Sequence, residues 1–381
     1  MHGLFLGMIK QKQSGCRMTK QSQTIFLAAG GTGGHLFPAL ALAEELAQSG
    51  YGARLVTDKR GHTFKQSDVT IPYSKINAAT FKAGIWGKLK SAFTLAVGMA
   101  EAMVLLLKYR PVAVVGFGGY SSFPTMMMAR VLGIPTVLHE QNAVLGKANA
   151  FLARGVKTLA LSCEGTKGAE AFQGKAVVTG NPVRRAVIEA AQKAYQAPAP
   201  EGEIVIFILG GSQGAQALSA LLPRAFALLS PALKSRLYIM QQARAEDVMM
   251  VETIYKDAAI KAEVAPFFKD VAARYQKTHL FIGRSGASTV TEIAVMGLPA
   301  LFVPMLHQDR QQYLNAETIA KDGGAVVIEQ TETTAEHLAE ILTALLQDPP
   351  RLQTMAEMSK KKGRPEAVSA LAKAVMNIVR G

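Results

Sequence analysis

Three glycine-rich stretches follow short apolar runs, and each has the composition of an anion-binding turn. They are Gly30-Gly31-Thr32-Gly33-Gly34-His35, Gly116-Phe117-Gly118-Gly119-Tyr120-Ser121-Ser122 and Gly210-Gly211-Ser212-Gln213-Gly214-Ala215. Glycines let the backbone close on a ligand, and the free N–H groups and dipole of a following helix favour negative charge. One such turn is as readily structural. Three in one chain, two of them opening equivalent strand–turn–helix units, point to phosphate. The first loop does not have the G-x-G-x-x-G order, and no Gly-Lys-Ser/Thr follows any loop. His-Glu-x-x-His and Cys-x-x-Cys spacings are absent from the sequence, so no metal is expected. Asp58, after a second strand, is placed to hold a ribose and keeps a dehydrogenase reading open.

Four polar strings also stand at ends of apolar runs: His139-Glu140-Gln141-Asn142, Gly180-Asn181-Pro182-Val183-Arg184, Arg284 to Glu292 and Asp309 to Ala316. Ligands of open α/β sheets bind beyond the carboxyl ends of the strands, where these strings fall. Taken singly, each is a capped helix start, with Ser285, Ser288 or Asp309 as N-cap. For proton transfer the first candidate is His35, because an imidazole titrates near neutrality. Glu140 is the second.

The elements that must position these residues alternate. Apolar runs predict strands at Thr24–Ala29, Arg54–Thr57, Ala113–Val115, Thr136–Leu138, Ala176–Val178, Ile204–Leu209, Leu280–Ile282 and Ala300–Pro304, with helical stretches between most of them. The first helix is expected from about Pro38 to Ser49. The Pro- and Ala-rich stretch 195–203 reads as a linker, after which the pattern restarts. The fold class is therefore α/β, as two Rossmann-like halves. Residues 1–23 are expected to be a disordered leader: Leu4-Phe5-Leu6 precedes Lys10, Lys12 and Arg17, the reverse of a signal peptide, and Met18 is an alternative start.

Length and composition agree. At 381 residues, 49% hydrophobic and 18% charged, the chain can bury two cores. A formal charge of +14 favours an anionic partner. The basic residues are scattered, with short clusters such as Lys360-Lys361-Lys362, which is not the pattern of a nucleic-acid tail. Two cysteines, Cys16 and Cys163, give no disulfide framework and fit a reducing compartment. The apolar run Ser91–Leu107 is shorter than the ~20 residues a spanning helix needs, and Glu101 interrupts it. It reads as a core helix or as an interfacial anchor. Ile85, Trp86, Leu89 and Phe93, beside Lys82, Lys88 and Lys90, have the anchor's composition.

From about Thr24 to the C-terminus, the ordered set of strings resembles the MurG family of glycosyltransferases. The resemblance implies a GT-B fold, two Rossmann-like domains facing a central cleft, with residues 24–184 on the acceptor and membrane side. Residues 185–363 would bind UDP-N-acetylglucosamine, and a helix of about 364–381 would pack back on the first domain. It implies inverting transfer of N-acetylglucosamine to lipid I, undecaprenyl-diphosphate-N-acetylmuramoyl-pentapeptide, to form lipid II in peptidoglycan synthesis, without a cofactor. Thr32, Gly33 and Gly34 match first-loop residues at the donor site, and Asn142 matches a donor-contacting Asn. Arg184 and Ser212 match residues at the diphosphate. Ala287, Ser288, Thr289, Val290, Thr291 and Glu292 match the segment around sugar and ribose, with Glu292 on the ribose hydroxyls. Gln312, with Gln311 beside it, matches a sugar-contacting glutamine, and Phe268 the position whose backbone brackets uracil.

The chain departs from the pattern in three places. Phe268 replaces a frequent Ile, Met240-Gln241-Gln242-Ala243 replaces a His-Gln-Ser/Thr-Gly string, and the second loop ends in Ser121-Ser122-Phe123-Pro124. The resemblance further implies a peripheral place on the cytoplasmic side of the inner membrane, at an anionic surface, with cell-wall synthesis and division proteins as partners and no nucleic acid. The competing expectations are a GT-B enzyme with a soluble or glycolipid acceptor, and a dehydrogenase or non-enzymatic nucleotide-binding module.

Overall fold

A computed structural model describes residues 23–30, 33–58, 71–79, 84–211, 216–306 and 309–380, without the side chains of Ile85 and Glu332. The leader up to residue 22, Thr32, Lys82 and Ser212 lie outside the described residues. The first half holds strands β1 (Thr24–Ala28), β2 (Gly52–Thr57), β3 (Tyr73–Lys75), β4 (Ala113–Gly116), β5 (Thr136–Glu140), β6 (Thr158–Leu161) and β7 (Ala176–Val178). The second holds β8 (Ile204–Leu209), β9 (Leu237–Gln242), β10 (Lys261–Ala265), β11 (Leu280–Gly283), β12 (Ala300–Phe302) and β13 (Ala325–Val327). The sheet orders are β3-β2-β1-β4-β5-β6-β7 and β10-β9-β8-β11-β12-β13, so the second repeats the topology of the first. Every ladder is parallel. Ile25 pairs with Ala53 on one side and Ala113 on the other, and Ile206 lies between Ile239 and Leu280.

Why these runs are central strands follows from burial. A parallel strand covered on both faces must be apolar where it is buried, and Ile25-Phe26-Leu27-Ala28 and Ile204-Val205-Ile206-Phe207-Ile208-Leu209 are. Successive side chains feed opposite layers. Ile25 and Leu27 pack with Leu36, Leu42 and Leu46, whereas Phe26 packs with Leu106, Val114 and Met126. Ile204, Ile206 and Ile208 face Leu222 and Phe226, and Val205 and Phe207 face Tyr275 and Ile293. In both sheets the chain order reverses beside the central strand, between β1 and β4 and between β8 and β11. That is where an open α/β sheet forms its ligand crevice.

The last helix, Ala367–Arg380, places Leu371, Ala372 and Val375 in the core of the first half. The stretch 195–203 contains no helix or strand. One helix boundary corrects the sequence reading: the first helix runs Gly33–Gln48, so Pro38 lies inside it. Proline lacks the N–H that would bond to the carbonyl four residues back, which is that of Gly34. The Ser288 hydroxyl, from the other half, donates to that carbonyl at 3.4 Å.

The helix Ile85–Tyr109 is 25 residues and apolar enough to cross a membrane by length and composition. It lies along the first half instead. Ser91, Ala102 and Leu106 are buried, and a Cβ on Gly98 would sit 1.9 Å from the Asn77 carbonyl oxygen. Glu101, the acid that interrupts the run, accepts from the Asn77 backbone N–H at 2.6 Å and its side-chain amide at 2.7 Å. The opposite face exposes Trp86, Leu89, Phe93, Val104 and Leu107 at helical spacing.

Candidate active site

Two glycine loops meet at His35. The imidazole is the third residue of the first helix and half-buried. It lies against Gly119, where a Cβ would come 3.4 Å from its Cε1. Gly118 and Gly119 have φ of +80° and +72°, a backbone that a side chain would strain, and this turn opens the helix Gly119–Val131. The loop is held from behind: Ser121 donates to the Asp58 carboxylate at 2.7 Å. Asp58 is buried in that bond and structural, which removes the ribose-holding acid of the dehydrogenase reading.

The string after β5 is a buried polar knot. Glu140, 1% exposed, accepts on Oε1 from the Asn142 backbone N–H and side-chain amide, both at 3.0 Å. Its Oε2 accepts from the Gly146 N–H at 3.1 Å and the Asn149 amide at 2.7 Å. Burial raises its pKa. With both oxygens engaged and no exposure, Glu140 shapes the loop and is poorly placed to meet an acceptor hydroxyl. His139, fully buried, shares a 3.0 Å bond between Nε2 and the Gly180 carbonyl, and its Nδ1 lies 3.0 Å from the Gln141 amide. A carbonyl can only accept, so Nε2 carries the proton and Nδ1 accepts from Gln141. Burial pulls this imidazole down to about 4, helped by the neighbouring His35 charge.

Across the cleft, the helix Ala287–Met296 starts at Gly286 with no side-chain cap, which corrects the reading of Ser285 or Ser288 as N-cap. Its first N–H groups, those of Ala287, Ser288 and Thr289, have no intrahelical acceptor. This start faces that of the first helix, because Ser288 reaches Gly34. Thr291 accepts from the Asn181 amide at 3.4 Å, whereas the Val290 side chain is core. Glu292 receives Arg184 Nε and Nη2 at 2.8 and 2.9 Å and the Tyr275 hydroxyl at 3.2 Å. Arg184 also stacks over Phe37 of the first helix, 5.0 Å from its ring centre. The Phe268 ring is buried beside Phe207 under the Arg274 guanidinium. Gln311 and Gln312 open the helix Gln311–Ala320. Asp309 accepts the Gln311 N–H at 3.3 Å, and Gln312 accepts from the Met305 N–H at 2.9 Å. Among the described residues, no three His, Cys, Asp or Glu side chains converge on a metal site.

The Glycosyltransferase family 28 N-terminal domain matches residues 25–161, and the Glycosyltransferase family 28 C-terminal domain matches residues 205–371. The chain belongs to glycosyltransferase family 28. A protein of Rhodospirillum centenum named UDP-N-acetylglucosamine--N-acetylmuramyl-(pentapeptide) pyrophosphoryl-undecaprenol N-acetylglucosamine transferase is 46% identical over 354 residues, covering 92% of this chain and 93% of its own. A protein of the same name from Rhizobium leguminosarum is 46% identical over 363 residues, 94% of this chain and 96% of its own. The crystal structure of Acinetobacter baumannii MurG superposes with a TM-score of 0.74 at 33% identity, covering 93% of this chain and 99% of that one. A Neisseria meningitidis UDP-GlcNAc 2-epimerase bound to UDP-GlcNAc shares the fold alone, at 12% identity and a TM-score of 0.66. The architecture is thus GT-B, a pair of Rossmann-like domains about a cleft, and the chain is a glycosyltransferase.

The family 28 cleft of this chain brings together Gly33, Gly34, His35, Arg184, Ser288, Thr291 and Glu292. Asn142 joins it through Asn315, which also bonds the Ser285 carbonyl, whereas Gln311 and Gln312 bond Asp309 and Met305. Two participants are not among the expected site residues, although Asn315 stands inside the string Asp309 to Ala316. Tyr275 comes from a short helix behind the site and fixes Glu292. Asn315 lies beyond the glutamines and contacts the first half, which only the docking of the halves reveals.

Proposed function

We propose that this protein transfers N-acetylglucosamine from UDP-N-acetylglucosamine to a lipid-linked muramoyl-pentapeptide, with inversion at the sugar C1. One observation carries the reading: two helix N-termini face each other across the cleft, joined at Ser288 and Gly34, with His35 the next residue on the acceptor side. A diphosphate between them meets the positive ends of both dipoles and uncapped N–H groups. The acceptor hydroxyl attacks C1 and the bond from C1 to the phosphate oxygen breaks. UDP departs with the electron pair, and His35 takes the hydroxyl proton. Arg184 binds Glu292 side-on through Nε and Nη2, which turns Nη1 away from the carboxylate and towards a leaving diphosphate. Glu292 itself serves the ribose hydroxyls, and the Phe268 backbone the base.

The test is transfer of labelled sugar from UDP-N-acetylglucosamine to a lipid I analogue, with and without EDTA. Equal labelling in both is expected, because the charge stabilisation comes from helix ends and Arg184. Labelling only of soluble acceptors would overturn the acceptor assignment in favour of another GT-B activity.

A polyprenyl-diphosphate acceptor stays in its bilayer, so we place the enzyme peripherally on the cytoplasmic face of the inner membrane. Supporting this are Trp86 at 85% and Phe93 at 72% exposure, with Leu89 between them and Lys88 and Lys90 exposed alongside. Apolar side chains enter the interface while the cations meet anionic headgroups. Replacing Trp86 and Phe93 together by Ser is expected to release the protein from anionic vesicles in a sedimentation assay. Unchanged co-sedimentation would exclude this patch.

A further inference from the structure

The two halves of the cleft are joined by a directional chain of hydrogen bonds that ends on Asn315. Asn315 is 4% exposed. Its Oδ1 accepts from the Ala143 backbone N–H at 2.8 Å, and its Nδ2 donates to Asn142 Oδ1 at 3.1 Å. Nδ2 also donates to the Ser285 carbonyl at 3.2 Å, immediately before the uncapped helix start. Thus one carboxamide in the donor half holds the loop after β5 in the acceptor half and the turn before Ala287.

The direction of each bond is fixed from one end. Glu140 is a buried acceptor, so it turns the Asn142 amide nitrogen towards itself. Asn142 Oδ1 must then face the other half, where only a donor satisfies it. Asn315 Nδ2 is that donor, which leaves its Oδ1 for the Ala143 N–H. Reversing either carboxamide would set oxygen against oxygen or nitrogen against nitrogen. Asn315 also stands one helical turn after Gln311 and Gln312, on the same face of the helix Gln311–Ala320. A shift of the glutamines on a sugar therefore moves Asn315 with them.

We infer that Asn315 is a positioning residue that latches the halves and holds Asn142 and Ala287 in register for the nucleotide sugar. The part concerning the sugar rests on the donor reading above; the latch itself does not. Two cross-half bonds of ordinary net strength bias the closed state by roughly ten- to a hundredfold, a latch that opens readily.

Hydrogen exchange of the Ala143 amide reads the latch directly. In the ligand-free protein, Asn315→Ala is expected to speed exchange at Ala143 by roughly ten- to a hundredfold, by the same reasoning, while β1 and β8 amides stay protected. Asn315→Asp keeps an acceptor for Ala143 but confronts Asn142 Oδ1 with oxygen. It is expected to protect Ala143 better than the Ala variant and to raise the KM for UDP-N-acetylglucosamine as much. Saturating UDP-N-acetylglucosamine is expected to slow Ala143 exchange in the wild type only. Unchanged Ala143 exchange in a folded Asn315→Ala protein overturns the latch. A normal donor KM with fast exchange overturns its positioning role. Failure of the donor reading shows separately, as a wild type indifferent to the nucleotide sugar with the ligand-free contrast intact.

Discussion

His35→Ala is expected to lower kcat by about a hundred- to ten-thousandfold, the range for removing a general base, while the dissociation constant for UDP-N-acetylglucosamine changes by no more than about twofold. The split follows from where His35 stands. Its ring lies against Gly119 of the second glycine loop, whereas the proposed donor site is formed by Arg184, Glu292 and the helix start at Ala287. Removing the imidazole takes away the proton acceptor and none of the donor's partners. A different result separates the competing role. If His35 holds the acceptor's diphosphate, the variant raises KM for the lipid I analogue and recovers full turnover at saturation. Measuring donor binding by calorimetry and turnover at saturating acceptor distinguishes the two. Glu140 does not substitute as base, because four N–H donors occupy its carboxylate.

Much of this arrangement is legible in the residues. The apolar runs within β1, β4, β5, β8 and β11 are buried on both faces, and hydrophobicity marks such strands. What escapes includes edge strands. Tyr73-Ser74-Lys75 and Lys261-Ala262-Glu263-Val264-Ala265 carry charge at exposed positions of edge strands. Thr158–Leu161 is interior and no shorter than β4 or β11, but it begins on a half-buried Thr and is flanked by Lys157 and Ser162. The site divides in the same way. Glycine loops and the string ending at Glu292 are local patterns, so they can be read in order. Asn315 stands in the string Asp309 to Ala316, but its pairing cannot be read there, since its partner Asn142 lies 173 positions away in the other half. Asp58 and Val290 show the converse. Both stand in suggestive strings, yet Ser121 claims one and the core claims the other.

The stability of the protein should fall steeply in mild acid through His139. This imidazole is fully buried, and its Nδ1 accepts a hydrogen bond, so it must remain neutral in the fold. Burial, opposed by the Gly180 hydrogen bond and helped by the charge of His35, holds its pKa at about 4 against 6.5 for an unperturbed histidine. The unfolded chain therefore binds a proton that the folded protein refuses between those two values. Stability is full above pH 6.5 and is lost as pH falls towards 4, at about 1.4 kcal/mol per pH unit and about 3 kcal/mol in all. His279, whose pKa burial also lowers, adds in the same direction. Glu140 opposes it, because a raised carboxyl pKa makes the folded protein the better proton binder. The net profile thus mixes signs, and the difference between proteins isolates His139. His139→Gln removes the titration, and its amide can still donate to the Gly180 carbonyl. Urea unfolding at pH 7 and pH 4.5 should show the wild type losing about 2 to 3 kcal/mol more than the variant over that interval. Parallel losses would mean that His139 accepts its proton in the folded state, and that the knot after β5 is looser than its hydrogen bonds require.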